Sequence, residues 1–224
     1  MKSILITAAT KMEINPILDH FQAVEERLDL LSARTERASL HFLCTGIGAA
    51  AMGIRTAFHL ASNNIELAIN AGIAGSYRAN RNLGDVVNVV SETFGDIGIE
   101  ERDASFKDVF DINLSDRNAH PFIDGQLINP ESHDVTLLPK VHSVTTGMAH
   151  GSKESISRIR EKYNPDIENM EGAGFFYSCL LANIPFLEIR SISNQVEPRE
   201  RANWDTDTAI LNLSNFLIEM IRDL

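Results

Sequence analysis

The sequence predicts an α/β fold, a three-layer sandwich in which helices flank a central mixed β-sheet. Short apolar segments rich in strand-forming residues alternate along the chain with longer segments of helical periodicity. The chain has 224 residues, of which 44% are hydrophobic, and this is enough for one hydrophobic core. We therefore expect a single domain that covers residues 1–224.

The predicted elements follow this alternation from one end of the chain to the other. In the first half, strands are predicted near residues 3–9, 28–33, 38–45, 66–71 and 84–91, with helices near 13–21 and 49–62. In the second half, strands are predicted near 141–146 and 186–192, with helices near 152–162, 175–182 and 206–222. Asp205 is a suitable N-cap for the last helix, and Trp204 before it is expected to pack against Ala209.

The segment between Gly95 and Pro139 is the least regular part of the chain. It is polar and rich in Asp, Asn and Pro, with Phe106, Phe110 and Phe122 set among these residues. Long loops in compact domains are usually lids or interfaces. A local hydrophobic cluster of the phenylalanines is an equally good interpretation.

Composition and charge exclude several classes of partner. A net charge of −11 and a pI near 5.0 would repel a polyanion, so no nucleic-acid partner is expected. The apolar run at residues 4–9 is too short for a signal peptide, and no segment approaches the ~20 apolar residues of a membrane span. We expect a cytoplasmic protein with no membrane partner.

Metal and disulfide chemistry are also disfavoured. Cys44 and Cys179 both lie in apolar segments, which suits reduced core thiols better than a disulfide. The seven histidines form no H-x-x-x-H pattern, and the cysteines form no C-x-x-C pattern. The sequence therefore predicts no metal site and no organic cofactor.

Two polar residues in the stretch 166–205 lie where burial is expected. Glu171 stands at the start of a very apolar helix and Asn194 at the end of a very apolar strand. Because the carboxyl ends of strands face the ligand crevice in open α/β sheets, these positions favour a binding or catalytic site. In the alternative, Glu171 only binds helix amides, while Gly172 and Gly174 only let the helix pack closely.

A second motif raises a rival hypothesis. Residues 46–51 read G-I-G-A-A-A between a strand and a helix, and so satisfy the G-x-G-x-x-A dinucleotide fingerprint. That fingerprint needs an acidic residue at the end of the next strand to bind the ribose. Glu66 lies at the beginning of that strand, and its predicted end carries Asn70-Ala71-Gly72. A nucleotide-binding module is therefore disfavoured.

The central stretch also resembles a known family. E-N-M-E-G-A-G (168–174) and I-R-S-I-S-N (189–194) are similar to the V-E-M-E-A and R-A-I-S-D patterns of methylthioadenosine/adenosylhomocysteine nucleosidases, which belong to the phosphorylase superfamily. Asn194 departs from this pattern, because those enzymes have an aspartate there. S-N-Q-V-E-P-R (193–199) resembles the futalosine hydrolase branch instead.

Three further segments carry the resemblance over most of the chain. They are T-G-I-G (45–48), N-A-G-I-A-G (70–75) and G-D-V-V (84–87), and the similarity is weakest between Ser91 and Pro139. The resemblance implies a homodimer or dimer-based oligomer. In the related enzymes a partner's aromatic side chain closes the neighbouring pocket.

The resemblance also implies roles for individual residues in cleaving an N-glycosidic bond. Glu13, at the start of the first helix, would activate the water, and Glu171 would bind the ribose hydroxyls and favour the cationic sugar. Met170 would lie against the ribose or base, Gly75 would leave room for the purine, and His150 falls where relatives place a stacking aromatic. Asn169 completes the predicted substrate-binding residues of this stretch. For Glu13 alone, an ordinary first-turn glutamate is the simpler interpretation.

Asn194 is the most discriminating of the candidates. A 6-oxopurine offers two acceptors, O6 and N7, and the two hydrogens of an amide can serve both. The resemblance to the futalosine hydrolase branch implies hydrolysis of futalosine to hypoxanthine and dehypoxanthinylfutalosine, a step in menaquinone biosynthesis. Arg199 is the candidate for binding the substrate's carboxylate. Methylthioadenosine/adenosylhomocysteine nucleosidase and a phosphate-dependent purine nucleoside phosphorylase remain alternatives.

Overall fold

The computed structural model describes residues 1–27, 29–130, 137–198 and 200–224. The strands in the first half of the chain are β1 (Lys2–Ala8), β2 (Val24–Arg27), β3 (Leu30–Arg34), β4 (Ala38–Cys44), β5 (Leu67–Ser76) and β6 (Val86–Phe94). Those that follow are β7 (Gly98–Glu100), β8 (Phe106–Asp108), β9 (Leu127–Ile128), β10 (Lys140–Thr145), β11 (Ile167–Asn169) and β12 (Phe186–Gln195). The helices are α1 (Lys11–His20), α2 (Ala49–Ser62), α3 (Lys153–Tyr163), α4 (Gly172–Ala182) and α5 (Thr206–Asp223).

The central sheet is mixed, and part of it closes on itself. Its strand order is β11-β10-β6-β12-β5-β1-β4-β3-β2, and β11 also pairs with β5. The strands β5, β12, β6, β10 and β11 therefore form a closed ring, which we call the strand ring. β12 is parallel to β5 and antiparallel to β6, so the ring contains both parallel and antiparallel pairs.

Helices cover both faces of the sheet. On one face, α1 and α5 contribute Ile14, Ile17, Leu213 and Leu217 to a core with β1 and β4. On the other face, α2 and α4 bury Met52, Phe175, Phe176 and Cys179 against β5, β6 and β12. This arrangement confirms the predicted α/β sandwich with its mixed sheet.

Two strands run further than the sequence predicts. β5 was predicted to end at residue 71 and continues to Ser76, while β12 was predicted to end at residue 192 and continues to Gln195. The two strands pair along this extension, with a register shift between Ile192 and Asn194. The prediction that Asn70-Ala71-Gly72 ends a strand was wrong, because parallel pairing with β12 carries the backbone through both glycines of the N-A-G-I-A-G segment.

The irregular segment before residue 130 has some structure of its own. β7 and β8 form a separate two-stranded sheet, and β9 pairs with β6. Phe122 packs against Phe94, Phe110 and Tyr177, with ring centroids 5.3–6.5 Å apart. Phe106 lies elsewhere, beneath the cations of Arg158 and Lys162 on α3. The predicted local cluster therefore includes Phe110 and Phe122 but not Phe106.

Within the described ranges, no helix is both long and apolar enough to cross a membrane.

Candidate active site

A cavity of about 230 Å³ opens beside the strand ring, where β5, β11 and β12 meet the start of α1. It is lined by six of the predicted site residues: Glu13, Gly75, Asn169, Met170, Glu171 and Asn194. The other polar and aromatic residues of the lining are Thr10, Glu168, Ser193 and Trp204. Its apolar side chains include Met12, Ile47, Ile73 and Met148. The chain thus brings three carboxylates and two amides from distant segments into one space.

Glu13 is positioned by the first turn of α1. Its Oε2 accepts hydrogen bonds from the Thr10 backbone N–H (2.9 Å) and Thr10 Oγ1 (3.1 Å), as in a capping box. Its Oε1 accepts a longer bond from the Ile73 N–H of β5, at 3.4 Å. Burial raises the pKa of Glu13 above its usual value, and the nearby Arg190 cation opposes this effect. A carboxylate with a raised pKa is suited to take a proton near neutral pH.

Glu171 is the N-cap residue of α4, yet its side chain does not cap that helix. Its Oε1 accepts a hydrogen bond from the Gly48 N–H at 3.1 Å, at the start of α2. Gly48 has a φ of +99°, a conformation that suits glycine. The dinucleotide fingerprint around Gly48 therefore presents its amide to a protein carboxylate and not to a pyrophosphate.

Arg190 lies directly beneath the two carboxylates and is 1% exposed. Its Nη1 is 3.8 Å from Glu171 Oε2, and its Nε donates to Glu188 Oε1 at 2.8 Å. A Cβ on Gly72 would lie 2.0 Å from Arg190 Nη1 and 3.0 Å from Glu13 Oε1. Only glycine at position 72 leaves room for this buried cation to reach both carboxylates.

Asn194 follows the irregularity in β12, which directs its side chain towards the cavity. Its Oδ1 accepts from Ser193 Oγ at 2.8 Å, and its Nδ2 donates to the Gln195 carbonyl at 3.0 Å. A Cβ on Gly75 would lie 3.0 Å from Asn194 Nδ2, so this glycine makes room for the amide. Among the residues that the structure describes, the second N–H of the Asn194 amide has no hydrogen-bond partner, so it can donate to a ligand.

Asn169 lines the cavity, but its side chain is engaged inside the strand ring. Its Nδ2 donates to Glu92 Oε1 (2.5 Å) and Ser143 Oγ (2.8 Å). Its Oδ1 accepts from the backbone N–H groups of Glu171 (2.8 Å) and Gly172 (2.6 Å). Asn169 thus fixes the start of α4, and with it the position of Glu171.

His150 is not among the described residues that line the cavity, where Met148 and Ala149 lie instead. Its backbone N–H and ring Nδ1 both contact Glu168, at 3.0 and 2.9 Å, and the Tyr77 hydroxyl donates to the same carboxylate at 2.8 Å. Burial and the Glu168 charge raise the pKa of Tyr77, so its hydroxyl remains a donor. Arg199 lies outside the described residues.

No group of three or more metal-ligating side chains occurs among the residues that the structure describes. The cavity lining offers carboxylates and amides for acid–base and hydrogen-bonding chemistry, and the buried Arg190 guanidinium lies next to Glu171 outside that lining.

A model of the phosphorylase superfamily matches residues 3–222. The chain belongs to this superfamily. Among curated proteins, it is 28% identical to a futalosine hydrolase of Thermus thermophilus over 185 residues, which cover 81% of each chain. It is 29% identical to a 5′-methylthioadenosine/S-adenosylhomocysteine nucleosidase of Maridesulfovibrio salexigens, over 82% of this chain and 80% of that protein.

The fold of this superfamily member is also found in solved structures. A futalosine hydrolase mutant of Helicobacter pylori superposes with a TM-score of 0.83 at 19% identity, and the match covers all of both chains. At this identity the likeness concerns the fold.

Four residues in or next to the cavity were not assigned to the site by the sequence analysis. Arg190 and Glu188 are opposite charges two positions apart in an otherwise apolar strand, so their side chains share one face. This pattern was a usable signal of a buried ion pair. Glu168 and Trp204 had no comparable local signal, because the β11–β5 pairing and the chain path before α5 bring them to the cavity.

Proposed function

We propose that this chain hydrolyses the N-glycosidic bond of futalosine and releases hypoxanthine and dehypoxanthinylfutalosine, a step of menaquinone biosynthesis. The observation that carries the proposal is the meeting of Glu13, Glu171 and Asn194 in one cavity of a phosphorylase-superfamily fold. The curated relatives named futalosine hydrolase support the choice of substrate. A cytoplasmic location suits a small-molecule reaction of this kind.

Glu13 supplies the base for the attacking water. Its two oxygens have different partners. Oε2 accepts hydrogen bonds from Thr10, whereas Oε1 accepts only the long bond from the Ile73 N–H within the described part of the chain. Oε1 therefore has lone-pair capacity to accept a hydrogen bond from water and then its proton. The raised pKa brings the basicity of Glu13 closer to neutral pH, where proton transfer is most effective.

Glu171 favours the positive charge that develops on the ribosyl carbon. Its Oε1 accepts a hydrogen bond from the Gly48 N–H, and its Oε2 lies 3.8 Å from Nη1 of Arg190. The remaining lone pairs can accept hydrogen bonds from the ribose hydroxyls. Because these partners are fixed before substrate binds, little reorganisation is needed as the charge forms. Met170 borders the same cavity and would contact the ribose or base.

Asn194 reads the departing purine. Its free N–H can donate to O6 or N7 of a 6-oxopurine, and release of the bond to Gln195 would provide a second donor. An ionised carboxylate at this position would set an acceptor against O6, a mismatch of about 1–3 kcal/mol when buried. This argument favours hypoxanthine over adenine as the leaving base.

The mouth of the cavity suits a large 5′ substituent. Met12, Ile47 and Met148 are 57%, 62% and 65% exposed and present apolar surface around the opening. Arg199 remains our candidate for the carboxylate of that substituent. The first loop carries no arginine to bind phosphate, and its cation Lys11 pairs with Glu25 at 3.4 Å. These features support hydrolysis over phosphorolysis.

Methylthioadenosine/S-adenosylhomocysteine hydrolysis is the second candidate. The relative from Maridesulfovibrio salexigens, at 29% identity, is the observation that favours it. The same carboxylates would serve both reactions, and the two candidates differ in the base that Asn194 has to bind.

We also propose that the chain is a homodimer joined through α2 and α4. These helices border an apolar groove of about 1050 Å³ whose lining includes Ile54, Leu181 and Ile97. Ile54 and Leu181 are 71% and 55% exposed, and Asp96 is the one charged residue among the described groove residues. A second copy of this apolar face would cover it. Sedimentation of the wild type and of Ile54→Glu tests this, since only the variant should be monomeric.

The reaction is tested by incubating the purified protein with futalosine in buffers with and without inorganic phosphate. We expect free hypoxanthine and a free sugar product at equal rates in both buffers. A requirement for phosphate, with a sugar 1-phosphate as product, would establish phosphorolysis and overturn the proposal.

A further inference from the structure

Two carboxyl groups meet inside the strand ring, away from solvent. Glu92 on β6 and Glu188 on β12 are both 0% exposed. Both lie over Gly172, where an added Cβ would be 2.1 Å from Glu92 Oε1 and 2.5 Å from Glu188 Oε1. The same added Cβ would be 2.6 Å from Glu188 Oε2, so the two carboxyl groups are close neighbours. Two ionised carboxylates so close together in a buried site repel each other, and a proton shared between them removes this repulsion.

Their other partners indicate which group carries the proton. Glu188 Oε1 accepts from the Arg190 guanidinium at 2.8 Å, so Glu188 is the ionised member. Glu188 Oε2 is buried and receives no conventional hydrogen bond from the described residues. None of the described cations is paired with Glu92, whose partners include the neutral groups Thr145 Oγ1 (2.8 Å) and Asn169 Nδ2. A proton on Glu92 would supply the missing donor to Glu188 Oε2.

The charges around the pair agree with this placement. Burial raises the pKa of Glu92 well above its usual value, and the Glu188 charge adds to the effect. Burial also raises the pKa of Glu188, but Arg190 opposes it. The other titratable groups that face the pair are Glu171 at the start of α4 and the neutral Cys179 thiol within it. One proton thus leaves a single negative charge to balance Arg190.

We propose that Glu92 and Glu188 share one proton and act as a positioning pair for the cavity above them. Glu188 holds Arg190, whose Nη1 approaches Glu171 and whose Nη2 donates to Asn70 Oδ1. Glu92 holds the Asn169 amide so that its oxygen receives the first backbone N–H groups of α4. Both routes end at Glu171, and neither carboxyl group touches the substrate space.

The inference rests on the proposed function only for the catalytic role of Glu171. The shared proton is a property of the resting protein and can be observed without substrate. Infrared spectra of wild type and Glu92→Gln at pH 8 should differ by the C=O stretch of a protonated carboxyl group. That band should be present in the wild type and absent in the variant. A spectrum without the band in the wild type would overturn the shared proton.

Kinetics of two matched variants tests the positioning role. Glu92→Gln keeps a neutral group with an N–H donor for Glu188, and we expect its kcat to fall about fivefold. Glu188→Gln leaves Arg190 without its counter-ion, and we expect kcat to fall on the order of 10²-fold, the cost of misplacing a catalytic group by about 1 Å. KM should change little in both, because neither residue binds substrate.

Equal losses in the two variants, or a loss confined to KM, would overturn the positioning pair. If Glu188→Gln does not fold, Glu188→Asp replaces it, because a retained charge should restore part of kcat. The comparison uses whichever purine nucleoside the wild type cleaves, so cleavage of methylthioadenosine instead of futalosine would contradict the proposed substrate and leave this test intact.

Discussion

The rim of the cavity and the interior of the strand ring beneath it are both buried and polar, but their hydrogen bonds differ. On the rim, Glu13, Glu171 and Asn194 bond mainly to backbone groups and near neighbours, and each keeps capacity for a ligand. In the interior, Glu188, Arg190 and Asn169 bond to other side chains of the same network. This difference supports our proposal that the rim residues carry the chemistry and that the interior residues position them.

Loss of a rim carboxylate should have the largest effect. Glu171→Gln and Glu13→Gln should each lower kcat by about 10²-fold or more, because electrostatic stabilisation and general-base catalysis are each worth that much. Folding should be retained, as judged by circular dichroism and thermal melting. Glu154→Gln is the matched control, since Glu154 is an exposed first-turn glutamate of α3 and is not among the described residues that line the cavity.

The pH dependence of kcat/KM tests the role of Glu13 in particular. The pKa of Glu13 is raised above 4.5, so its base form is gained only as pH rises beyond that value. The acidic limb of kcat/KM should therefore lie above pH 4.5 and disappear in Glu13→Gln. Near-wild-type activity in either variant would remove that residue from the mechanism.

Crowding of the interior should have the next largest effect. Gly72→Ala places a Cβ 2.0 Å from Arg190 Nη1, so the guanidinium has to move away from the carboxylates. We expect a destabilisation of about 1–3 kcal/mol from overpacking and a fall in kcat of about 10²-fold. Thermal melts measure the destabilisation, and steady-state kinetics measures the fall in kcat.

Gly147→Ala provides the comparison for that substitution. Gly147 lies outside the strand ring, and an added Cβ there would contact only Asp96 Oδ2, at 3.1 Å. It should melt close to the wild type and keep its activity. If Gly72→Ala behaved in the same way, the interior would not hold the rim in place.

Substitution of Asn194, which we propose binds the purine base, should have the smallest effect, and it should change substrate selectivity more than the rate. Asn194→Asp replaces a donor amide with a carboxyl group that can pair with the amino group of adenine. We expect the ratio of kcat/KM for futalosine over methylthioadenosine to fall by about tenfold or more. An unchanged ratio would mean that Asn194 does not contact the base.

The sequence predicted the helices and most long strands, because each has a strong local pattern. The five helices appear near their predicted positions, and Asp205 caps α5 by accepting from the Thr208 N–H at 3.0 Å. The sequence analysis missed strands β2, β7, β8 and β9. These strands are short, have exposed residues or lack an alternation of apolar and polar residues. Their formation depends on pairing partners elsewhere in the chain.

For the site, the sequence predicted the rim better than the interior. Glu13, Glu171 and Asn194 stand out as polar residues at element ends, where a local pattern can reveal them. Glu92 pairs with Glu188 only because β6 and β12 are neighbours, and Asn169 joins them only because β11 closes the ring on β5. These contacts join residues 19 to 96 positions apart in the chain, so local periodicity could not reveal them.

The most direct test of the account is a competition in one tube. The wild-type protein is given equal concentrations of futalosine and methylthioadenosine without phosphate, and the initial release of hypoxanthine and adenine is followed by chromatography. The ratio of the two rates equals the ratio of the two kcat/KM values. The account predicts that hypoxanthine is released faster. Faster release of adenine would contradict both the proposed substrate and the role of Asn194 in choosing it.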